Sequence, residues 1–444
     1  MASTYLTKSI SSTGTNTKGT YSGWIKRGDL TNNYPRFFAI NTDANRYLRL
    51  FFHNDDKLHL YIDNSSGIGQ RKTTRVFRDT SAYYHIVVAI DSTLGTASDR
   101  IKVWVNGVQE TTFDSTINPS QNADMMINNS GTTFVIGKHE SASTDYFNGV
   151  MSHVHWIDGT AYDASAFGST DTTTGEWKIN TSPSVTYGTN GFFILKDGNS
   201  VTDQSGNSNN FTVAGGTLTK TEDCPSNVFA TLNPLAGSAS DYTLSNGNTS
   251  FQNTGGWSWK PSTICPSKGK FYYEVKMTGS TPLYEVVGVV PFASWDKIDN
   301  ETIGAGSGGE AESVGYNMSG NVIKGNSTVY SGTSYTVGDV VCVAVDLDNR
   351  AIYFRKNGGS WENSGDPTSG ASKTGAASLS TTLDDWSLST SGSGSDAGSS
   401  INYGNGYFGT TQISSEGTNA SGIGKFEYDV PTGYTALSTK GLNE

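Results

Sequence analysis

Short apolar stretches of strand length recur along the whole chain, and helical periodicity is nearly absent. Tyr84-His85-Ile86-Val87-Val88-Ala89-Ile90 reads as a buried strand. Ile101-Lys102-Val103-Trp104-Val105 alternates, Asn106-Gly107 supplies the positive φ pair of a type I′ turn, and Val108 to Phe113 returns. Phe134 to Gly137, Gly149 to Trp156 and Gly191 to Leu195 continue the series. The best helical candidate is a single turn from Asp163 to Phe167, capped by Asp163.

The pattern breaks between Asp223-Cys224-Pro225 and Asn233-Pro234-Leu235-Ala236-Gly237-Ser238. Two prolines and a Gly/Ser step predict a linker over 223–240, between domains at 1–222 and 241–444. Beyond it, Phe271 to Met277 alternates, Val286 to Val290 is wholly apolar, and Val340 to Val345 predicts a central strand with Cys342 as a buried thiol. Ala351 to Lys356 follows a turn, and Asn357-Gly358 turns again. Ser387 to Ser400 is expected to be a Gly/Ser-rich loop without core residues. Many short strands, Gly/Asn turns and few helices predict an all-β chain of two tandem antiparallel β-sandwiches.

Composition agrees with two folded domains. Of 444 residues only 34% are hydrophobic, but 22 Tyr, 19 Phe and 9 Trp bury large areas each. A net charge of -11 argues against nucleic acid as a partner. No apolar run approaches the ~20 residues of a membrane span, so membrane insertion is not expected. Met1-Ala2-Ser3-Thr4-Tyr5 lacks the basic and apolar segments of a signal peptide. Three cysteines make no disulfide framework, and Cys224 and Cys265, each before a proline, are read as reduced thiols.

Tyr21-Ser22-Gly23-Trp24-Ile25-Lys26-Arg27, Tyr83 to Asp91, Ile101 to Val108 and the Asp203-Gln204-Ser205-Gly206-Asn207-Ser208-Asn209 turn resemble the concanavalin A-like, laminin-G-like jelly rolls. Gly338 to Asp348, then Ile352-Tyr353-Phe354 and Asn357-Gly358, with Gly269 to Val275, Val287-Gly288-Val289 and Ser313 to Tyr316 upstream, resemble a SPRY domain. The whole layout, including Gly149 to Gly159, resembles virion structural proteins of tailed bacteriophages, particularly those of marine bacteria and cyanobacteria. That resemblance implies a place in the virion as a tail, fibre or capsid-decoration component. It implies other virion proteins as partners, homo-oligomers, and adhesion to a host surface glycan or protein. A purely architectural role and a polysaccharide depolymerase are the alternatives.

The residues argue against catalysis. A retaining glycosidase needs two carboxylates about 5–5.5 Å apart. Glu310 and Glu312 have suitable spacing but lie beside glycines in a loop, and Asp346 and Asp348 end a strand, where Asp favours turns. His153 and His155 are placed on one strand face with Met151 and Ile157, packing rather than binding metal. His53 and His59 flank a hairpin tip and are expected to be solvated. No cofactor is required, and calcium is an open candidate: Asp203, Asn207 and Asn209 set oxygen donors around one turn, though all three are also turn formers. Trp257, Trp259, Trp295 and Trp361, taken as loop aromatics beside glycine or at strand ends, are the candidate binding residues.

Overall fold

The computed structural model describes the chain apart from residues 1–2, 31–33, 66–67, 197–199, 237–240, 281–283, 294–301 and 305–310. Two compact units divide it: Met1–Lys220 with Cys224–Ser226, and Thr221–Asp223 with Asn227–Glu444. Both are β-sandwiches.

The first unit runs β1 (Tyr5–Ser9), β2 (Lys18–Arg27), β3 (Arg36–Asp43), β4 (Arg46–Phe52), β5 (Lys57–Asn64), β6 (Gly69–Val76), β7 (Tyr84–Asp91) and β8 (Ile101–Val105). It continues with β9 (Val108–Gln109), β10 (Phe113–Ile117), β11 (Thr133–Ile136), β12 (Gly149–Asp158), β13 (Gly168–Thr170), β14 (Trp177–Ile179), β15 (Phe192–Ile194) and β16 (Thr212–Gly215). An eight-stranded sheet has the order β10-β6-β5-β4-β3-β11-β1-β16, and a six-stranded sheet the order β15-β12-β2-β7-β8-β9. Alternation puts Leu48, Leu50, Leu60, Ile62, Ile86, Val88 and Trp156 into the core between them. Asn106 and Gly107 adopt φ of 48° and 80°, as the hairpin turn requires.

Strand β7 is apolar on both sides. Val87 and Ala89 join Trp104 and Ile157 on the outer face, where residues from Tyr162 to Tyr187 cover them. The turn at Ala164–Ala166 lies in this cover, and the Asp163 side chain accepts from Ser165 N. A bulge between Ser152 and His155 breaks the alternation of β12, and His153 has a φ of 49°. Met151 therefore packs toward the core, while Ile157 faces outward on the same side as His155, so Ile157 neighbours a histidine as expected and Met151 does not.

In the second unit one sheet runs Tyr242–Ser245, Ser250–Asn253, Gly398–Asn402, Lys270–Met277, Val340–Asp346, Ala351–Lys356, Ala377–Ser378. The other runs Ser258–Lys260, Trp386–Gly392, Val286–Pro291, Val314–Asn317, Asn321–Lys324, Ser327–Ser331. Val341, Val343, Val345 and Tyr273 fill the sandwich core. On the reverse side, Tyr272, Val340, Cys342 and Ala344 pack under Phe408, Phe426, Val430 and Tyr434. The uninterrupted apolar run at 340–345 reflects burial of both faces.

Two expectations are corrected. Ser387–Ser400 is not a loop without core residues: Trp386–Gly392 and Gly398–Asn402 are fully buried strands. Their hydroxyls bond one another, Ser387 Oγ to Ser389 Oγ at 2.7 Å and Thr390 Oγ1 to Ser399 Oγ at 3.2 Å, which makes burial tolerable. Nor is 223–240 a bare linker. Phe229, Ala230 and Leu232 are at most 1% exposed and belong to the second unit's apolar clusters.

Glu274 ties the C-terminal covering segment to the sheet. It accepts from Tyr272 Oη (3.1 Å), Asn402 Nδ2 (3.2 Å), Glu427 N (2.9 Å) and Tyr428 N (2.8 Å). Burial pushes its carboxyl up to about 7 against the pull of those donors. The folded state thus binds this proton more tightly than the unfolded chain. The stabilisation is full below pH ~4.5 and is lost as pH rises toward 7, roughly 3 kcal/mol in all. Urea titrations of the full chain should show this slope in the second unit's transition, and Glu274→Gln should flatten it. Cys342 is fully buried, and burial pushes its thiol up to about 12. A thiol reagent should leave it unmodified in the native protein and label it in denaturant.

Candidate functional site

The four tryptophans do not form one surface. Trp259 is 1% exposed within strand Ser258–Lys260, packed with Val286 and Val290, so it is not the loop aromatic expected. Trp257 is half-buried on the edge of that cluster, its ring 5.9 Å from the exposed Tyr284 ring. Trp361 packs against the other sheet's outer cluster, with the Arg355 guanidinium 4.5 Å from its ring centre. Trp295 and Glu310 lie outside the described residues.

The Asp203 turn closes a sheet edge. Asp203 Oδ1 accepts from Phe193 N (2.8 Å) and Ser205 N (2.9 Å), and Oδ2 from Ser205 Oγ (2.7 Å) and Asn209 N (2.8 Å). Phe193 O accepts from Gln204 N at 2.7 Å, so the open side of edge strand β15 is met by this turn. Asn207 Nδ2 donates to Gly188 O and Gly191 O, and Asn209 Nδ2 to Thr189 O and Gly191 O. The carboxylate is saturated by donors and both amides aim N–H groups at carbonyls, a set that does not fit a calcium ion. Among the described residues no cluster of three His, Cys, Asp or Glu could hold a metal. Asp203→Ala should destabilise the first unit by about 2–3 kcal/mol, and calcium should leave the melting temperature of the native protein unchanged.

The outer face of the eight-stranded sheet carries a different set of groups. Register places Phe51 opposite His59, Arg49 opposite Tyr61 and Tyr47 opposite Asp63, with Ala39 and Asn41 beside Arg49 and Tyr47. Ring centres of Phe51 and His59 lie 4.8 Å apart, His59 and Tyr61 6.0 Å, and Tyr47 and Tyr61 6.1 Å. The Arg49 guanidinium stacks 3.4 Å from the Tyr47 ring centre. Glu140, from the 137–147 loop, accepts from Arg36 Nη1 (2.6 Å) and Arg49 Nε (2.7 Å). Arg49 gives Nη2 to the same carboxylate, and its Nη1 has no acceptor among the described residues.

Three atoms on this face are buried with no hydrogen-bond partner among the described residues, Arg36 Nε, His59 Nδ1 and Asn41 Oδ1. His59 Nε2 meets Gln70 Nε2 at 2.8 Å, and burial lowers its pKa to about 4. The side chain is half-buried among rings, not solvated as expected. Half-buried rings beside amide and imidazole groups suit a ligand bearing both hydroxyls and an apolar face. The sequence held the signal: Tyr47, Arg49 and Phe51, and His59 and Tyr61, occupy the alternate positions that face away from Leu48, Leu50 and Leu60.

Residues 2–166 match the family model described as the Concanavalin A-like lectin/glucanases superfamily, and residues 270–374 match that of the SPRY domain. The chain carries a concanavalin-like domain and a SPRY domain. Among solved structures, the SPRY domain of human HERC1 is 15% identical with a TM-score of 0.31, covering 38% of this chain and 96% of that one. A heptameric SAP-like pentraxin from Limulus polyphemus is 17% identical with a TM-score of 0.27, covering 35% and 69%. Domain 4 of AbnA, a GH43 extracellular arabinanase from Geobacillus stearothermophilus in complex with arabinotriose, is 18% identical with a TM-score of 0.27, covering 33% and 64%. No curated protein matches the chain.

Proposed function

We propose that the chain is a non-enzymatic adhesive protein of a tailed-phage particle, a tail, fibre or capsid-decoration component. Its first domain binds an uncharged host-surface glycan on the outer face of the eight-stranded sheet. The observation that carries the reading is the ring band of Tyr47, Tyr61, His59 and Phe51. Sugar rings stack on aromatic faces, and their hydroxyls both donate and accept. The virion setting and its other protein partners rest on the sequence resemblance.

Charge supports a neutral ligand. Arg36 and Arg49 share Glu140, Lys72 meets Asp55 at 2.8 Å, and Lys57 pairs with Asp114. Among the described residues, the carboxylates that a depolymerase reading would turn to are engaged elsewhere. Glu140 is clamped between two guanidinium groups. Glu274 and Glu285, whose pKa values burial raises to about 7 and about 8, accept backbone N–H groups in the second unit. Asp346 and Asp348 serve turns, through Asn349 N and Gly269 N.

Binding of the full chain to an array of bacterial surface polysaccharides tests the proposal. Tyr61→Ala should weaken binding about 10-fold or more with an unchanged melt, and Trp361→Ala should not weaken it. No binding by single chains or oligomers would favour the purely architectural role. Release of reducing ends would favour the depolymerase.

A further inference from the structure

Two imidazoles meet the cover of the six-stranded sheet's outer face, beside hydrogen bonds that join Thr20 to Thr160 and Tyr162, and Asp158 to Tyr187 and Asn190. His85 is 0% exposed, with Trp24 stacked on it at 4.6 Å and Trp177 at 6.0 Å. Trp177 Nε1 donates to His85 Nδ1 at 3.0 Å, so His85 Nε2 carries the proton toward Ser22 Oγ at 2.9 Å. Trp177 stands on the β13–β14 hairpin, which pairs with no other sheet among the described residues. Its ring lies so close to Gly107 and Gly168 that a Cβ at either would come within 2.4 or 2.6 Å.

A second imidazole faces the same cover. His155, 2% exposed, stacks on Phe193 at 3.9 Å. Its Nδ1 lies 2.9 Å from the Tyr187 hydroxyl, which can donate to an imidazole lone pair or accept from an imidazole N–H. The Trp177 contact needs a free lone pair on His85, because an indole N–H only donates.

We infer that residues 160–190 form an acid-released strap, whose contact with the six-stranded sheet through His85 holds only while that imidazole is neutral. His153 from β12 is the titratable group that acts on His85, while His153, His85 and Lys196 beyond Phe193 act on His155. None of these favours an imidazolium. Asp203, near the Tyr187 hydroxyl, is saturated by its own turn. Protonation of His85 puts an N–H where the Trp177 donor points, so that contact fails.

The sign follows from the same geometry. Burial lowers His85 to about 3 and His155 well below its ordinary value. The closed strap is fully stable above pH ~6.5 and loses stability as pH falls toward 3; His85 alone lowers the closing constant roughly 30-fold by pH 5.

Hydrogen exchange of the full chain, corrected for the intrinsic pH dependence of exchange, tests this between pH 7.5 and 4.5. Amides of 168–190 should lose at least 30-fold in protection at pH 5 while β3, β4 and β5 keep theirs. His85→Gln offers an acceptor that takes up no proton and should retain much of the acid protection. Trp177→Phe, which keeps a ring but loses the donor, should weaken protection of the hairpin already at neutral pH. Unchanged protection of 168–190 at pH 5 in the wild type would overturn the inference. So would simultaneous loss across the whole first unit, the mark of ordinary acid unfolding.

Discussion

Strands that are apolar on both faces set the architecture. A two-layer sandwich buries one face of each sheet, yet Val340 to Val345 supply Val341, Val343 and Val345 to one side and Val340, Cys342 and Ala344 to the other. Exposing the second set to water would forfeit about 25 cal/mol for each Å² of apolar surface. The chain answers with a third layer, its C-terminal segment, fixed by Glu274 on the backbone of Glu427 and Tyr428. Strand β7 imposes the same need in the first unit, met by the segment carrying Phe167, Trp177 and Tyr187. The two cover layers differ in their fastening. One is clamped by a carboxyl that accepts N–H groups, the other in part by an imidazole, His85, that accepts from Trp177 Nε1.

Seen this way, the outer face of the eight-stranded sheet is the exception. Its inward positions are as apolar as any, but its outward ones carry Tyr47, Arg49, His59 and Tyr61. Loop 137–147 reaches it through Glu140, and beyond it Tyr47, His59 and Tyr61 stay half-buried while Phe51 is buried. Every guanidinium and ammonium named on this face has a carboxylate, so rings and single polar atoms are what it offers a partner. Sheet edges are closed by other means: bulges interrupt β10 and β16, and the Asp203 turn occupies the side of β15.

Much of the fold was legible. Alternation and Asn-Gly pairs marked the strands and hairpins, because a strand's inside and outside are written two residues apart. The third layers were not legible, since a continuous apolar run says that both faces are buried without saying by what. Composition misled at Ser387 to Ser400, where hydroxyls satisfy one another inside the sandwich. It misled again at Trp259, where glycine neighbours suggested a loop and the ring is buried in a strand. The bulge at His153 has no sequence signature of the kind alternation provides, and it moved Met151 and Ile157 to opposite faces. The candidate site was legible in principle, but only by reading the polar side of β4 and β5 for rings rather than the loops for tryptophans.

The central claim is that one sheet face, and not a loop tip, meets the ligand. Hydroxyl-radical footprinting of the full chain, with and without a polysaccharide that it binds, tests this most directly. The account predicts protection of Tyr47, His59 and Tyr61, with Trp257, Tyr284 and Trp361 reacting equally in both states. Protection confined to the tryptophans of the second unit, with the first sheet's rings unchanged, would contradict it.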